Sequence, residues 1–257
     1  MSDRYDDVRL ATRLVQEAAA LAARMRHEGD LRVATKTSIS DVVTAADHAA
    51  EEHVVATLRA ERPDDGLLGE EGTDETGRSG RRWVIDPVDG TYNFASGSDY
   101  WCSAIALLDG DELVLGAVAH HRDGVLAGGP GVPTTLDGAP VDPIADVALS
   151  EAGVATYLHP ARIGDPRVRE PFLRAIADAA TMRMLGSGSM DLAGVVTGRL
   201  GGWFQHSTPA WDWLPGAALV LGAGGRVAQV EVDGFTWSVA GGPSVVESVS
   251  AALGGRA

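Results

Sequence analysis

The chain has 257 residues, enough for one large domain or two modest ones with a proper core. Its 36 acidic and 21 basic residues give a formal charge of −15, which disfavours nucleic acid and anionic membranes as partners. A phosphate-bearing substrate would also be repelled, unless bound cations reversed the sign locally.

Hydrophobic residues make up 45% of the chain, yet no run approaches the roughly 20 apolar residues of a membrane span. The acidic start MSDRYDDVRLATRL is unlike a signal peptide, so a cytoplasmic protein is expected. The single cysteine, Cys102, excludes intrachain disulfides and zinc sites built on several thiolates. It lies in the apolar run WCSAIALL, which predicts a buried small side chain rather than a nucleophile.

In chain order, apolar residues at helical spacing predict helices over 8–27 and 45–61, the second starting near Thr44 or Asp47. The stretch between them reads as a loop or short hairpin. Residues 81–86, 100–109 and 112–121 read as buried strands, the last two joined by a turn at Asp109-Gly110. Turn residues fill 128–143, and a boundary between halves is expected near 148/149. Beyond it strands and helices alternate, which predicts a layered α/β half ending in a helix with Pro215 in its first turn.

The densest chemistry lies in WVIDPVDGTYNF, residues 83–94. Asp86 and Asp89 fall at the end of a predicted strand, where open α/β sheets place ligands. Two nearby carboxylates with a main-chain carbonyl between them suit a hard cation such as Mg²⁺. Gly90 and Thr91 add N–H groups for an anion, and Gly permits close approach. Glu70 and Glu71 in LLGEEG and Asp212 in WDW are further acidic candidates, each weak alone. A Glu pair is ordinarily a solvated turn, and Asp before a helix an N-cap.

Together, GEEG (69–72), WVIDPVDGTYNFASG (83–97) and WDWLPGAALVLGAGG (211–225) resemble the inositol monophosphatase family of lithium-sensitive, magnesium-dependent phosphatases. SDVVTAADHAAE (40–51) and MRMLGSGSMDLAGVVTGRLGGW (182–203) add to the resemblance, which extends over nearly the whole chain. It implies an α+β/α/β fold, a layered α-β-α-β-α sandwich of the sugar-phosphatase type. Residues 1–148 would carry the GEE and DPxDGT motifs and 149–257 the WD motif, with the site between.

The resemblance also implies that Glu70, Asp86 and the Val88 carbonyl hold one Mg²⁺, and that Asp86, Asp89 and Asp212 hold a second, with a third ion near Glu70 in some relatives. Asp89, Gly90 and Thr91 would bind the phosphate. Thr91 and Glu70 would orient the attacking water, with Asp47 as the partner of Thr91. Lys36 resembles a lysine near the metals in many relatives; a solvated loop lysine is the alternative. A homodimer is expected from the same resemblance.

On the alcohol side, Gly186, Ser187 and Gly188 align with a segment that contacts substrate, and Gln205 stands where inositol-phosphate hydrolysing relatives usually have Glu. His206 beside it is a further candidate contact. Adjacent His120 and His121 are expected on opposite faces of a strand, and Trp203, Trp211 and Trp213 in the core. The implied substrate is a small-molecule phosphate ester, foremost myo-inositol 1-phosphate. Histidinol phosphate, a 3′-phosphoadenosine-type nucleotide, fructose 1,6-bisphosphate and a specialised-metabolite phosphate remain open. A regulatory or RNA-associated binding protein is the alternative of another class, disfavoured by the charge and the full ligand set.

Overall fold

The computed structural model describes residues 2–29, 31, 33–35 and 42–255. The first helix, α1 (Ser2–Glu28), is followed by the short antiparallel pair β1 (Ala34–Thr35) and β2 (Val42–Val43), then by α2 (Ala45–Glu61). Thr44 caps α2 through a capping box: its hydroxyl accepts from Ala46 N–H while the Asp47 side chain accepts from Thr44 N–H. Lys36 lies outside the described residues.

A mixed sheet comes next, built from β3 (Gly66–Gly69), β4 (Asp74–Glu75), β5 (Arg81–Asp89), the five-residue helix α3 (Thr91–Ala95), β6 (Cys102–Asp109), β7 (Glu112–His120), β8 (Gly124–Gly129), β9 (Val132–Leu136) and β10 (Ala139–Pro140). Its eight strands run in the order β10-β9-β8-β7-β6-β5-β3-β4, and only β3 and β5 pair parallel. The chain then forms β11 (Gly153–Thr156), α4 (Pro166–Ile176), β12 (Thr181–Arg183), α5 (Gly188–Val196), β13 (Gly202–His206), α6 (Ala210–Gly222), β14 (Arg226–Val232), β15 (Phe235–Gly241) and α7 (Pro243–Gly254). These five strands order as β12-β11-β13-β15-β14.

Burial explains the stacking. On α1, Leu10, Leu14, Val15, Ala18 and Ala22 form one apolar stripe that packs with α2 onto Ile105 and Leu107 of β6. The alternate β6 residues Cys102 and Ala104 point into a second core, shared with Leu192 of α5 and Leu219 of α6. With both faces covered, β6 reads as one continuous apolar run, and Cys102 is buried as expected. A third core joins Phe204 and Val239 of the second sheet to Phe172 of α4 and Val249 of α7. The layers are therefore helix, sheet, helix, sheet, helix, as the fold expectation had it.

Four expectations need correction. The 128–143 stretch is not simply turns, because β8, β9 and β10 continue the large sheet through it. The second half is not an alternation to its end, since β14 and β15 form an antiparallel hairpin. α6 begins at Ala210, which puts Pro215 beyond the first turn, so the carbonyl of Trp211 loses its helical N–H partner. The Pro215 carbonyl instead presses on β7, where a Cβ on Gly116 would lie 2.2 Å from it. Finally, β7 ends at His120, so strand alternation does not govern His121; the two rings lie 4.6 Å apart, and His121 stacks on Trp101 at 4.9 Å.

Candidate active site

Residues three apart on a regular strand face opposite sides of the sheet. Asp86 and Asp89 share a side because β5 carries a bulge between them: Asp86 pairs with Ala104 and Asp89 with Cys102, so three steps on β5 match two on β6. Pro87, which has no N–H to give a ladder, sits in that irregularity, and its carbonyl accepts from Ser103 Oγ at 2.6 Å. Both aspartates thereby project toward the layer that holds α6, whose first turn supplies Asp212. The three side chains each offer a carboxylate oxygen within 4.8 Å of the others.

The electrostatics of this trio are unfavourable without positive charge. Both Asp86 carboxylate oxygens are buried and accept from no N–H or hydroxyl among the described residues, only the Asp212 carboxyl lying close enough to share a proton. Burial, and then the charges of Glu70, Asp89 and Asp212, push the Asp86 carboxyl well above its ordinary range. Burial raises Asp89 as well, opposed by hydrogen bonds from Ser189, Ser187 and Gly188 at the start of α5. Glu70 lies outside the trio but lines the same cleft.

Next to the trio, Thr91 Oγ1 lies 3.1 Å from Asp47 Oδ1 and 2.9 Å from the Val88 carbonyl oxygen. Burial raises the Asp47 carboxyl to about 6, against the lowering effect of the Thr44 hydroxyl. Gly90 caps α3 in the left-handed region at φ 93°, and a Cβ there would meet the Tyr100 carbonyl at 3.0 Å. The GEEG segment is pinned from below by buried Glu51, which accepts from Glu71 N–H (2.8 Å), Thr73 N–H (3.2 Å) and Thr73 Oγ1 (2.7 Å).

A cleft of ≈ 480 Å³ brings together Glu70, Asp86, Asp89, Gly90, Thr91 and Asp212. Gly186, Ser187, Gly188 and Gln205 line it as well. His206 does not: its ring is buried against Phe235 and Trp237, which also lowers its pKa, so it is withdrawn as a substrate contact. Trp203 and Trp213 stack in the core, whereas Trp211 is half-buried.

Sequence reasoning missed Tyr92, Asn93, Tyr157, Met184, Leu185 and Asp191, all of which line the cleft. All of them but Tyr157 lay within motif stretches already singled out. Asn93 Nδ2 donates to the carbonyls of Tyr100 (2.9 Å) and Leu185 (2.7 Å), and Tyr100 donates to Asp191 at 2.7 Å. Burial raises the Asp191 carboxyl to about 8.

A five-layer sandwich with two buried aspartates at the end of a bulged strand, joined by the part-exposed Asp212 of α6, defines a class of phosphate-ester hydrolases, and comparison with known proteins agrees. The sequence profile of the inositol monophosphatase family matches residues 5–251, so the chain belongs to that family, whose members are phosphoric monoester hydrolases acting on small-molecule phosphates. It is 32% identical over 241 residues to a histidinol-phosphatase of Mycobacterium tuberculosis, covering 88% of each chain. It is 34% identical over 199 residues to an inositol-1-monophosphatase of Rhizobium meliloti, covering 76% of this chain and 74% of that one. Among solved structures, the extragenic suppressor protein suhB from Bartonella henselae superposes with a TM-score of 0.85 at 26% identity, covering 95% of this chain and 97% of the other. No described helix is long and apolar enough to cross a membrane.

Proposed function

We propose that the protein is a Mg²⁺-dependent phosphomonoesterase of a small alcohol monophosphate, with myo-inositol 1-phosphate as the reference substrate. The observation that carries this reading is the Asp86 carboxylate, buried, without an N–H or hydroxyl donor among the described residues, and gathered with Asp89 and Asp212. Such a cluster is costly unless cations occupy it. The donors are all oxygens, which fits Mg²⁺ rather than a softer metal. Glu70, Asp86 and the Val88 carbonyl would hold one ion, and Asp86, Asp89 and Asp212 another. Bound there, the ions would supply Lewis-acid charge to the phosphate and acidify a water.

The chain's own residues do the rest. Gly90 and Thr91 open α3, and their first-turn N–H groups have no helical acceptor, so they are available to phosphate oxygens. With the Val88 carbonyl given to an ion, Thr91 Oγ1 would direct its proton to Asp47 rather than to that carbonyl 2.9 Å away, and would keep lone pairs to accept from the attacking water and align it together with Glu70. Asp47 sits at the buried end of this pair and draws the proton of the Thr91 hydroxyl toward itself.

Relatives bearing the names histidinol-phosphatase and inositol-1-monophosphatase support the chemistry and leave the alcohol open. Phosphate release from myo-inositol 1-phosphate, histidinol phosphate, 3′-phosphoadenosine 5′-phosphate and fructose 1,6-bisphosphate, with and without Mg²⁺, tests the reading. Mg²⁺-dependent release from at least one ester is expected. Release that chelation leaves untouched would overturn it.

A further inference from the structure

Beside its carboxylates, the cleft presents polar side chains, Thr91, Asn93, Ser187 and Gln205, and an apolar part of the wall. Tyr92 is 57% exposed, Met184 43% and Leu185 37%, and all three line the cleft. Large apolar side chains left open beside a concave site mark where a ligand's apolar surface is removed from water. This part of the wall is held in place rather than loose. Asn93 Nδ2 ties the Leu185 carbonyl to α3 at 2.7 Å, so the apolar rim keeps a fixed position relative to Gly90 and Thr91.

No Lys or Arg lines the cleft among the described residues. Arg183, adjacent in sequence to Met184, turns back on its own strand, donating to Thr181 Oγ1 (2.7 Å) and the Met182 carbonyl (2.9 Å). Among the described residues, a second phosphate would therefore find no cationic side chain in the cleft wall. Gln205, also in the lining, replaces a charge by a neutral amide with one acceptor and two donor positions.

We infer that the alcohol carries a single phosphate and an apolar or aromatic body, which packs on Tyr92, Met184 and Leu185. This inference rests on the phosphatase reading and narrows it. A polyol, with a hydroxyl on every ring carbon, has less apolar surface to pack there, and a bisphosphate adds a charge that no described cationic side chain of the cleft offsets.

The test measures kcat/KM of the Mg²⁺-loaded protein for 2-phenylethyl phosphate, myo-inositol 1-phosphate and fructose 1,6-bisphosphate, then repeats it with Met184→Ser and Leu185→Ser. Both side chains are exposed, so the fold should survive, and a melting curve checks this. Expected is 2-phenylethyl phosphate about tenfold or more above the bisphosphate and above the polyol, with its KM rising about fivefold in either variant. A ranking led by the polyol or the bisphosphate, or a KM unmoved by both substitutions, overturns this inference while leaving the phosphatase intact. Absence of Mg²⁺-dependent release from all three esters and from histidinol phosphate overturns the phosphatase reading and this one with it.

Discussion

Ser189 donates its main-chain N–H to the Asp89 carboxylate across 100 positions of sequence, fastening the first turn of α5 to the end of β5. The contact fixes one carboxylate oxygen, Oδ2, by a donor from the chain, and Ser187 and Gly188 add to it. Asp89→Asn preserves size and can still accept from Ser189 through its amide oxygen, but it removes the charge that would hold a cation. Turnover is expected to fall by about a hundredfold or more, several kcal/mol of transition-state stabilisation, with the melting temperature of the metal-free protein not lowered. Normal Mg²⁺-dependent turnover in this variant would remove Asp89 from the site.

The Thr91–Asp47 pair makes a separate prediction. Thr91→Val keeps the shape and deletes the hydroxyl that lies 3.1 Å from Asp47. Positioned proton acceptors of this kind contribute roughly 10²–10⁴-fold, so kcat should fall by at least about a hundredfold. Thr91→Ser should recover most of the loss. Steady-state kinetics of both variants, with the Asp47→Asn double variant for coupling, decide the matter: additive losses would mean that the two residues do not act as a unit.

Stability of the metal-free protein should fall as pH rises. The Asp47 carboxyl is raised from 3.8 to about 6, and that of Asp191 from 3.8 to about 8, burial being the main cause in each. Asp86 and Asp89 are displaced in the same direction. The folded state therefore keeps protons that the unfolded chain has released. The resulting stability is fully present below the unfolded value of 3.8 and is lost as pH climbs through about 6 and then about 8. Melting in chelator between pH 5 and pH 8 should show a declining midpoint, and Mg²⁺ should raise that midpoint more at pH 8 than at pH 5.5. A midpoint at pH 8 that does not respond to Mg²⁺ would count against cation binding by these groups.

Glu51 performs a structural task beneath the GEEG turn. Glu51→Ala would strand the donors of Glu71 and Thr73 and should cost about 2–4 kcal/mol by denaturant titration. Gly69→Ala should act through the same carboxylate, because a Cβ there would lie 2.4 Å from it. Combining the two substitutions should cost less than their sum, and strict additivity would show that Gly69 is constrained by something else.

What the sequence disclosed was the identity of the acidic residues and the apolar periodicity of α1 and α2. What it concealed was how Asp86 and Asp89 come to face one way, since the bulge exists only in the register of β5 against β6. The glycines of β8 read as turn residues. In fact a Cβ on Gly128 would lie 2.5 Å from Thr134 and one on Gly129 2.6 Å from the Val114 carbonyl, so close strand and loop approaches demand them. The β14–β15 hairpin did carry a signal: Asp233-Gly234, both with positive φ, is the dipeptide of a tight hairpin turn. Met184 and Leu185 stand directly before the segment 186–188 singled out for substrate contact, yet an exposed apolar pair after an edge strand does not by itself say that it faces the cleft.

Gln205 is the position at which polarity on the alcohol side should be adjustable. It lines the cleft near the end of β13, whereas His206, the next residue, points into the aromatic core as strand alternation requires. Gln205→Glu introduces a charged acceptor of nearly the same size, able to take strong hydrogen bonds from adjacent ring hydroxyls. The substitution should raise kcat/KM for myo-inositol 1-phosphate relative to 2-phenylethyl phosphate by about fivefold to tenfold, equivalent to roughly 1–1.4 kcal/mol. A second anionic substrate group should be disfavoured further, so the ratio of myo-inositol 1-phosphate to fructose 1,6-bisphosphate should rise as well. If the ranking of the three esters is unchanged, Gln205 does not touch the alcohol, and selectivity must reside in Tyr92, Met184 and Leu185.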